Sequence, residues 1–106
     1  PPRSTLFPYT TLFRSLDNAL MVGAFIEDLD IADLMVEIAQ TNNRDINTVW
    51  QNLAKGSRNH LRSFYAQLVA RNVVYKPLVL SPALFNQIVS SPHETAVAYD
   101  ENGLPL

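Results

Sequence analysis

The sequence predicts an all-α fold, an antiparallel two-helix hairpin followed by a short third helix. Three observations predict it. Apolar residues recur at helical spacing through residues 16–40 and again through residues 45–71. Only the cluster Thr41-Asn42-Asn43-Arg44 separates the two stretches, and a turn that short makes two long helices run antiparallel. Ser81-Pro82 then opens a further apolar run with a capping residue followed by the residue that favours the first helical position.

The first helix is expected from Leu16 to about Gln40, on the stripe Leu16, Leu20, Gly23/Ala24, Ile31, Leu34 and Ile38. Asp17 suits its first turn, where a carboxylate meets exposed N–H groups. Between Ala19 and Ile26 this helix is apolar almost all round. Such a helix needs partners on more than one side, so a lone hairpin is expected to form a homodimer or to require further helices.

The second helix is expected from about Asp45 to Arg71, on the stripe Ile46, Val49/Trp50, Leu53, Ser57, His60/Leu61, Phe64 and Leu68, with Trp50 filling core. Gly56 interrupts it at a cost of roughly 1 kcal/mol relative to Ala, for which the close approach of a neighbouring helix is the expected reason. Pro77 lies in an extended stretch, residues 73–80. The third helix turns Leu84, Phe85 and Ile88 inward, and Ser91-Pro92 stops it. Residues 93–106 are polar, contain Asn102-Gly103 and Pro105, and are expected as a flexible tail, with His93 in solvent.

Composition narrows the function classes. The chain has 106 residues, eight Lys and Arg, ten Asp and Glu, a net charge of -2 and no Cys. That size suits one small domain. No disulfide, Cys-based zinc site or thiol catalyst is available. A mildly acidic chain lacks the electrostatic footprint of a nucleic-acid binder. The longest run without a polar residue, Ala19 to Ile26, falls far short of the roughly 20 residues needed to span a bilayer. No phosphate-cradling Gly-rich loop and no nucleophile elbow occurs.

Residues 1–15, PPRSTLFPYTTLFRS, stand apart. They repeat Thr-Leu-Phe, carry three prolines and follow neither a helical nor a strand period. The stretch from Thr5 to Ser15 resembles a short-read sequencing adapter translated in one frame. The expected division is therefore a non-native segment over 1–15, a helical domain over 16–92 and a tail over 93–106.

The first helix carries Asp17, Glu27, Asp28, Asp30, Asp33 and Glu37, and the second carries Lys55, Arg58, Arg62 and Arg71. Complementary faces favour their pairing. Three polar residues fall on the apolar stripes: Glu27 and Asp30 on the first helix and His60 on the second. A buried ionisable group needs a partner, because an unpaired one costs several kcal/mol. In an antiparallel register that sets Leu34 against Leu53 and Gly23 against Phe64, Glu27 meets His60 and Asp30 meets Ser57. Two readings follow. Glu27 and His60 form a buried pair that fixes the register, or they are two ligands of a metal with Asp30 as a third. Asn59, beside His60, is either an outer-shell partner of that site or polar surface. Arg58 and Arg62, four apart, either hold an anion or lie along the surface.

The segments Gly23 to Leu34 (GAFIEDLDIADL) and Lys55 to Arg62 (KGSRNHLR), continued through Tyr75-Lys76-Pro77 and Leu80-Ser81, are similar to an uncharacterised ferritin-like family, domain of unknown function two-two-zero-two. The resemblance covers roughly residues 17–89. It implies that the chain is the C-terminal half of a four-helix bundle, and that the missing half holds a Glu-bearing helix and a Glu-x-x-His helix. Under that resemblance Glu27 matches the bridging Glu of the third bundle helix and His60 the His of the fourth. Ser57 stands where the family pattern has a Glu, and Asp30, facing it, is placed to supply the lost carboxylate. The implied cofactor is a di-iron pair, and the implied activity of an intact parent is iron oxidation or storage, with this fragment inactive. The alternatives are a metal-free helical structural or interaction module, and a truncated, adapter-bearing reading frame with no function of its own.

Overall fold

A computed structural model describes residues 8–106; the first seven residues of the segment read as foreign lie outside it. Helix α1 spans Pro8–Gln40, α2 Arg44–Ala70 and α3 Pro82–Val89. The two long helices pack along each other as the hairpin, and α3 packs on α2. Helix α1 begins eight residues before the expected Leu16, at Pro8, a residue that opens a helix without loss because the first N–H of a helix has no intrahelical partner.

Local chemistry sets the boundaries. Asn43 caps α2, its side-chain oxygen accepting from the Ile46 N–H at 3.0 Å. The C-terminus of α2 closes with Asn72 in the left-handed region at φ 59 and the Val73 N–H donating to the Leu68 carbonyl at 2.9 Å. Asn is one of the few side-chain-bearing residues that tolerates that backbone. Ser81 caps α3 as expected, accepting from the Leu84 N–H at 3.2 Å, with Pro82 at the first position.

The core gathers on one flank of the hairpin. Leu20, Ala24 and Ile31 of α1 and Leu61 and Leu68 of α2 pack against Tyr75, Leu80, Phe85 and Ile88. Phe85 stands edge-on to Tyr65, with centroids 5.2 Å apart, and tilted to Tyr75 at 5.8 Å. On α2 the buried apolar positions are Ala54, Leu61 and Leu68: Leu61 and Leu68 are those predicted, while Leu53 and His60 are exposed and Ala54 is buried in place of Leu53. The burial shifts at those positions because the third layer, residues 73–106, covers only that flank. Trp50, expected in the core, is half-buried beside Leu53 and Ser57 on the other side.

Asp28 ties this layer to α1. Its carboxylate is fully buried and accepts from the Tyr75 hydroxyl at 2.6 Å, the Leu78 N–H at 2.7 Å and the Leu80 N–H at 2.7 Å. The Val79 N–H adds a longer contact at 3.3 Å. Burial, and then the bond to this carboxylate, push the Tyr75 hydroxyl well above its ordinary pKa.

The last segment differs from the expected loose tail. Residues 94–101 lie along α2, and its polar face grips them. Asn59 pairs with both backbone groups of Glu94, and Asn52, seven residues earlier, does the same for Tyr99. Lys55 donates to the Ala96 and Val97 carbonyls at 2.8 and 3.0 Å. The Glu94 side chain receives Arg58 on two atoms, Arg62 and the Tyr99 hydroxyl, all at 2.7 Å. The segment ends in a turn around Gly103, at φ 78, that bridges Tyr99 to Pro105.

The glycines separate packing from tolerance. A Cβ on Gly23 would stand 2.7 Å from the Phe64 ring, so the predicted pairing of a small with a large residue holds. A Cβ on Gly56 would meet nothing within 4 Å among the described residues beyond its own helix, so no other element approaches there and the expected packing role is corrected. Gly56→Ala should raise stability by about 0.5–1 kcal/mol through helix propensity alone. Gly23→Ala should lower it by about 1 kcal/mol, overpacking outweighing the same gain, and Phe64→Leu should recover the loss. Urea midpoints check all three. By the same measurement Asp28→Ala should cost about 3–5 kcal/mol, since it strands several buried donors, against about 2 kcal/mol for Tyr75→Phe.

Candidate functional site

The other flank of the hairpin is open, and of the predicted site residues Glu27, Asp30, Ser57 and His60 lie there. Glu27 and His60 do meet: Nδ1 of His60 stands 3.3 Å from Oε2 of Glu27. Their environments differ sharply. Glu27 is 7% exposed, whereas the His60 side chain is 68% exposed. The inward orientation predicted for His60 is thus corrected. It crosses the α1–α2 seam to reach the carboxylate while its outer side faces solvent, because no third element covers this flank among the described residues. The contact is an ion-pair distance whose geometry falls short of a hydrogen bond, and the buried Oε2 has no hydrogen-bond partner among the described residues.

Electrostatics follow from that placement. Burial pushes the Glu27 carboxyl above its ordinary range. The charge of Asp30 adds to the rise, and His60 opposes it.

Asp30 and Ser57 line one groove together with Asp33, Leu34, Glu37, Trp50 and Leu53, as the register required. Asn59, expected beside the site, is turned away from it. Its amide holds the Glu94 backbone, and its oxygen also accepts from Arg62 at 2.8 Å. Among the described residues no three His, Asp or Glu side chains gather closely enough to hold a metal ion.

Among the described residues the expected match of acidic α1 to basic α2 shows as the ion pair of Arg71 with Asp17. Elsewhere the bases of α2 turn to the C-terminal segment: Arg44 to Glu101, and Arg58 and Arg62 to Glu94. Glu94 of the chain itself thus supplies one anion to the two guanidinium groups of Arg58 and Arg62. Asp28 and Glu94 are the two structural residues that sequence reading passed over. The available signal was Asn at an interval of seven, interleaved with Lys and Arg, on a helix face otherwise read as solvated.

Three donors hold the Glu94 carboxyl far below the usual range, down to about 2, with the Arg58 bond the largest cause. A depressed carboxyl contributes stability that is present above its unfolded pKa and lost as pH falls through the folded one. Wild type should therefore converge in stability on Glu94→Gln as pH drops from about 4.5 toward about 2. Paired chemical denaturation across that window checks it.

Comparisons with known proteins place the chain in a family. Residues 9–92 match the family described as an uncharacterized protein domain (DUF2202). The match begins inside the segment of residues 1–15. The curated uncharacterized protein MJ0754 of Methanocaldococcus jannaschii is 49% identical over 81 residues, 76% of this chain and 44% of that protein. A crystal structure of hypothetical protein MJ0754 from Methanococcus jannaschii aligns with a TM-score of 0.72 at 49% identity, over 74% of this chain and 45% of that one. The chain thus spans less than half the length of the relative it matches. No helix among the described residues is long and apolar enough to cross a membrane.

Proposed function

We propose, since the chain belongs to the DUF2202 family and spans under half of its relative's length, that it contributes two ligands, Glu27 and His60, to a metal centre inside a larger ferritin-like bundle. The observation that carries this reading is the buried, unpartnered Oε2 of Glu27 facing His60 Nδ1 across the seam. The donor set fits the group. A carboxylate and a neutral imidazole suit iron and other first-row divalent metals, and a carboxylate can bridge two of them. Asp30, beside Ser57 in the same groove, is the third candidate ligand. A di-iron pair would supply redox chemistry with oxygen; the protein would supply geometry and exclusion of water.

The open flank supports the same reading. Val22 is 57% and Ile26 49% exposed, and Leu53 and Val49 face solvent on α2. A helical face this apolar is built to be covered. Two further helices, from a longer chain or from a second copy, would cover it and bring the remaining ligands.

One observation favours a metal-free reading, in which Glu27 and His60 only fix the register: the absence of a gathered third ligand among the described residues. Cobalt(II) separates the two. Titrated into this chain, cobalt should give the visible absorption of a bound ion, lost in His60→Ala and in Glu27→Ala and weakened in Asp30→Ala, with helical circular dichroism retained. A purely structural pair predicts the opposite: His60→Ala lowers the melting temperature and leaves cobalt absorption at the wild-type level, whether zero or not.

A further inference from the structure

The closed flank carries a second site, independent of the metal reading. Between α1, α2, α3 and the C-terminal segment lies a cleft of ≈ 710 Å³. Its floor is apolar, built from Ile31, Met35, Ala54, Leu84 and Ile88. At one end stand Arg58 and Arg62, with Glu94 between them. Volume, apolar lining and a few convergent polar groups are the attributes of a small-molecule site.

The charge balance at that end selects the ligand. Two guanidinium groups meet one carboxylate, so the end retains a net positive charge. Glu94 engages Nε and Nη2 of Arg58 and Nη1 of Arg62, and the Ile88 carbonyl takes Nε of Arg62. The Tyr99 hydroxyl also meets Arg58, and Nη1 of Arg62 is shared with Asn59, which leaves Nη2 of Arg62 as the guanidinium nitrogen with no hydrogen bond among the described residues. Arg62 is only 7% exposed, which places its charge in a medium of low polarity where an anion is worth more than in water. Arginine donors of this kind form short, charge-assisted bonds with carboxylates, as they already do with Glu94.

We propose that this cleft binds an amphiphilic monocarboxylate, its alkyl chain along the Ile31–Ile88 floor and its headgroup at the positively charged end, on Nη2 of Arg62 and beside the Arg58 guanidinium. Glu94 is retained in this arrangement: it aligns the two guanidinium groups and leaves one positive charge for the ligand. An ammonium headgroup is repelled by that surplus charge, and an uncharged one forfeits the charge-assisted bonds.

Calorimetric titration with decanoate below its micellar concentration, using the full chain, tests this. Decanoate should bind at one site per chain, and decanol and decyltrimethylammonium at least about tenfold more weakly. Gln87 lines the cleft and is exposed on α3, outside the Glu94 cluster. Gln87→Glu should weaken decanoate binding and Gln87→Lys strengthen it, each by a few-fold to about tenfold, the size expected of one charge across a partly screened distance. Met35→Trp, which fills the floor from an exposed position, should abolish it. Equal binding of decanoate and decanol, or decanoate affinity indifferent to the charge at position 87, overturns the proposal. So does full binding by Met35→Trp with its circular dichroism unchanged.

Discussion

A carboxylate sealed away from water must find donors, and Asp28 finds them on a segment some fifty residues further along the chain. The constraint is electrostatic before it is geometric. Removing an ionised group from water is costly, and only several hydrogen bonds to the charged form offset it. Residues 78–80 supply them by bending around it, so that the successive N–H groups of Leu78, Val79 and Leu80 all point at the carboxylate, with the Tyr75 hydroxyl beside them. Pro77, which has no N–H to lose, sits between Tyr75 and Leu78 without removing a donor. With that stretch fixed, Leu80 is buried, Ser81 is placed to start α3, and Phe85 and Ile88 meet Leu61 and Leu68.

The result is a hairpin with unlike sides. One flank is finished twice over, by α3 and by the segment that Asn52, Lys55 and Asn59 hold along α2. The other keeps exposed apolar side chains, a buried acid and a histidine at its edge. The charges follow the same division. The arginines at this face pair with Glu94, Glu101 and Asp17, while Asp30, Asp33 and Glu37 have no ion-pairing cation among the described residues. The exposed pair Arg44–Glu101 adds little to stability, whereas the partly buried Glu94 cluster fixes where the chain's last residues lie.

Much of this was legible from the sequence. Periodicity located both long helices, the Ser81-Pro82 cap located α3, and a single register placed Gly23 on Phe64 and Glu27 on His60. These are local or pairwise features, and the 3.6-residue period carries them directly. What escaped was which side of each helix the rest of the chain would cover. Leu53 and Leu61 are equally apolar, and only the path of residues 73–106 makes one exposed and the other buried. That path is decided by Asp28 and Glu94, two acids whose partners are backbone groups and distant arginines. Neither leaves a periodic trace. His60 was misplaced for the same reason: its neighbour across the seam was readable, the absence of a wall behind it was not. Gly56 shows the converse, a residue whose rarity in helices suggested a contact that is not there.

The reach of the Asp28 clasp also sets the order in which the molecule assembles. The hairpin closes over a turn of a few residues, so its contacts are cheap in chain entropy and form early. The clasp joins points far apart in sequence, and its loop must be closed before any of its bonds is gained. Its stabilisation is therefore largely missing from the folding barrier and present in the unfolding one. The clasp acts less as a nucleus than as a lock: it scarcely changes how fast the domain folds, and it governs how long the folded domain lasts.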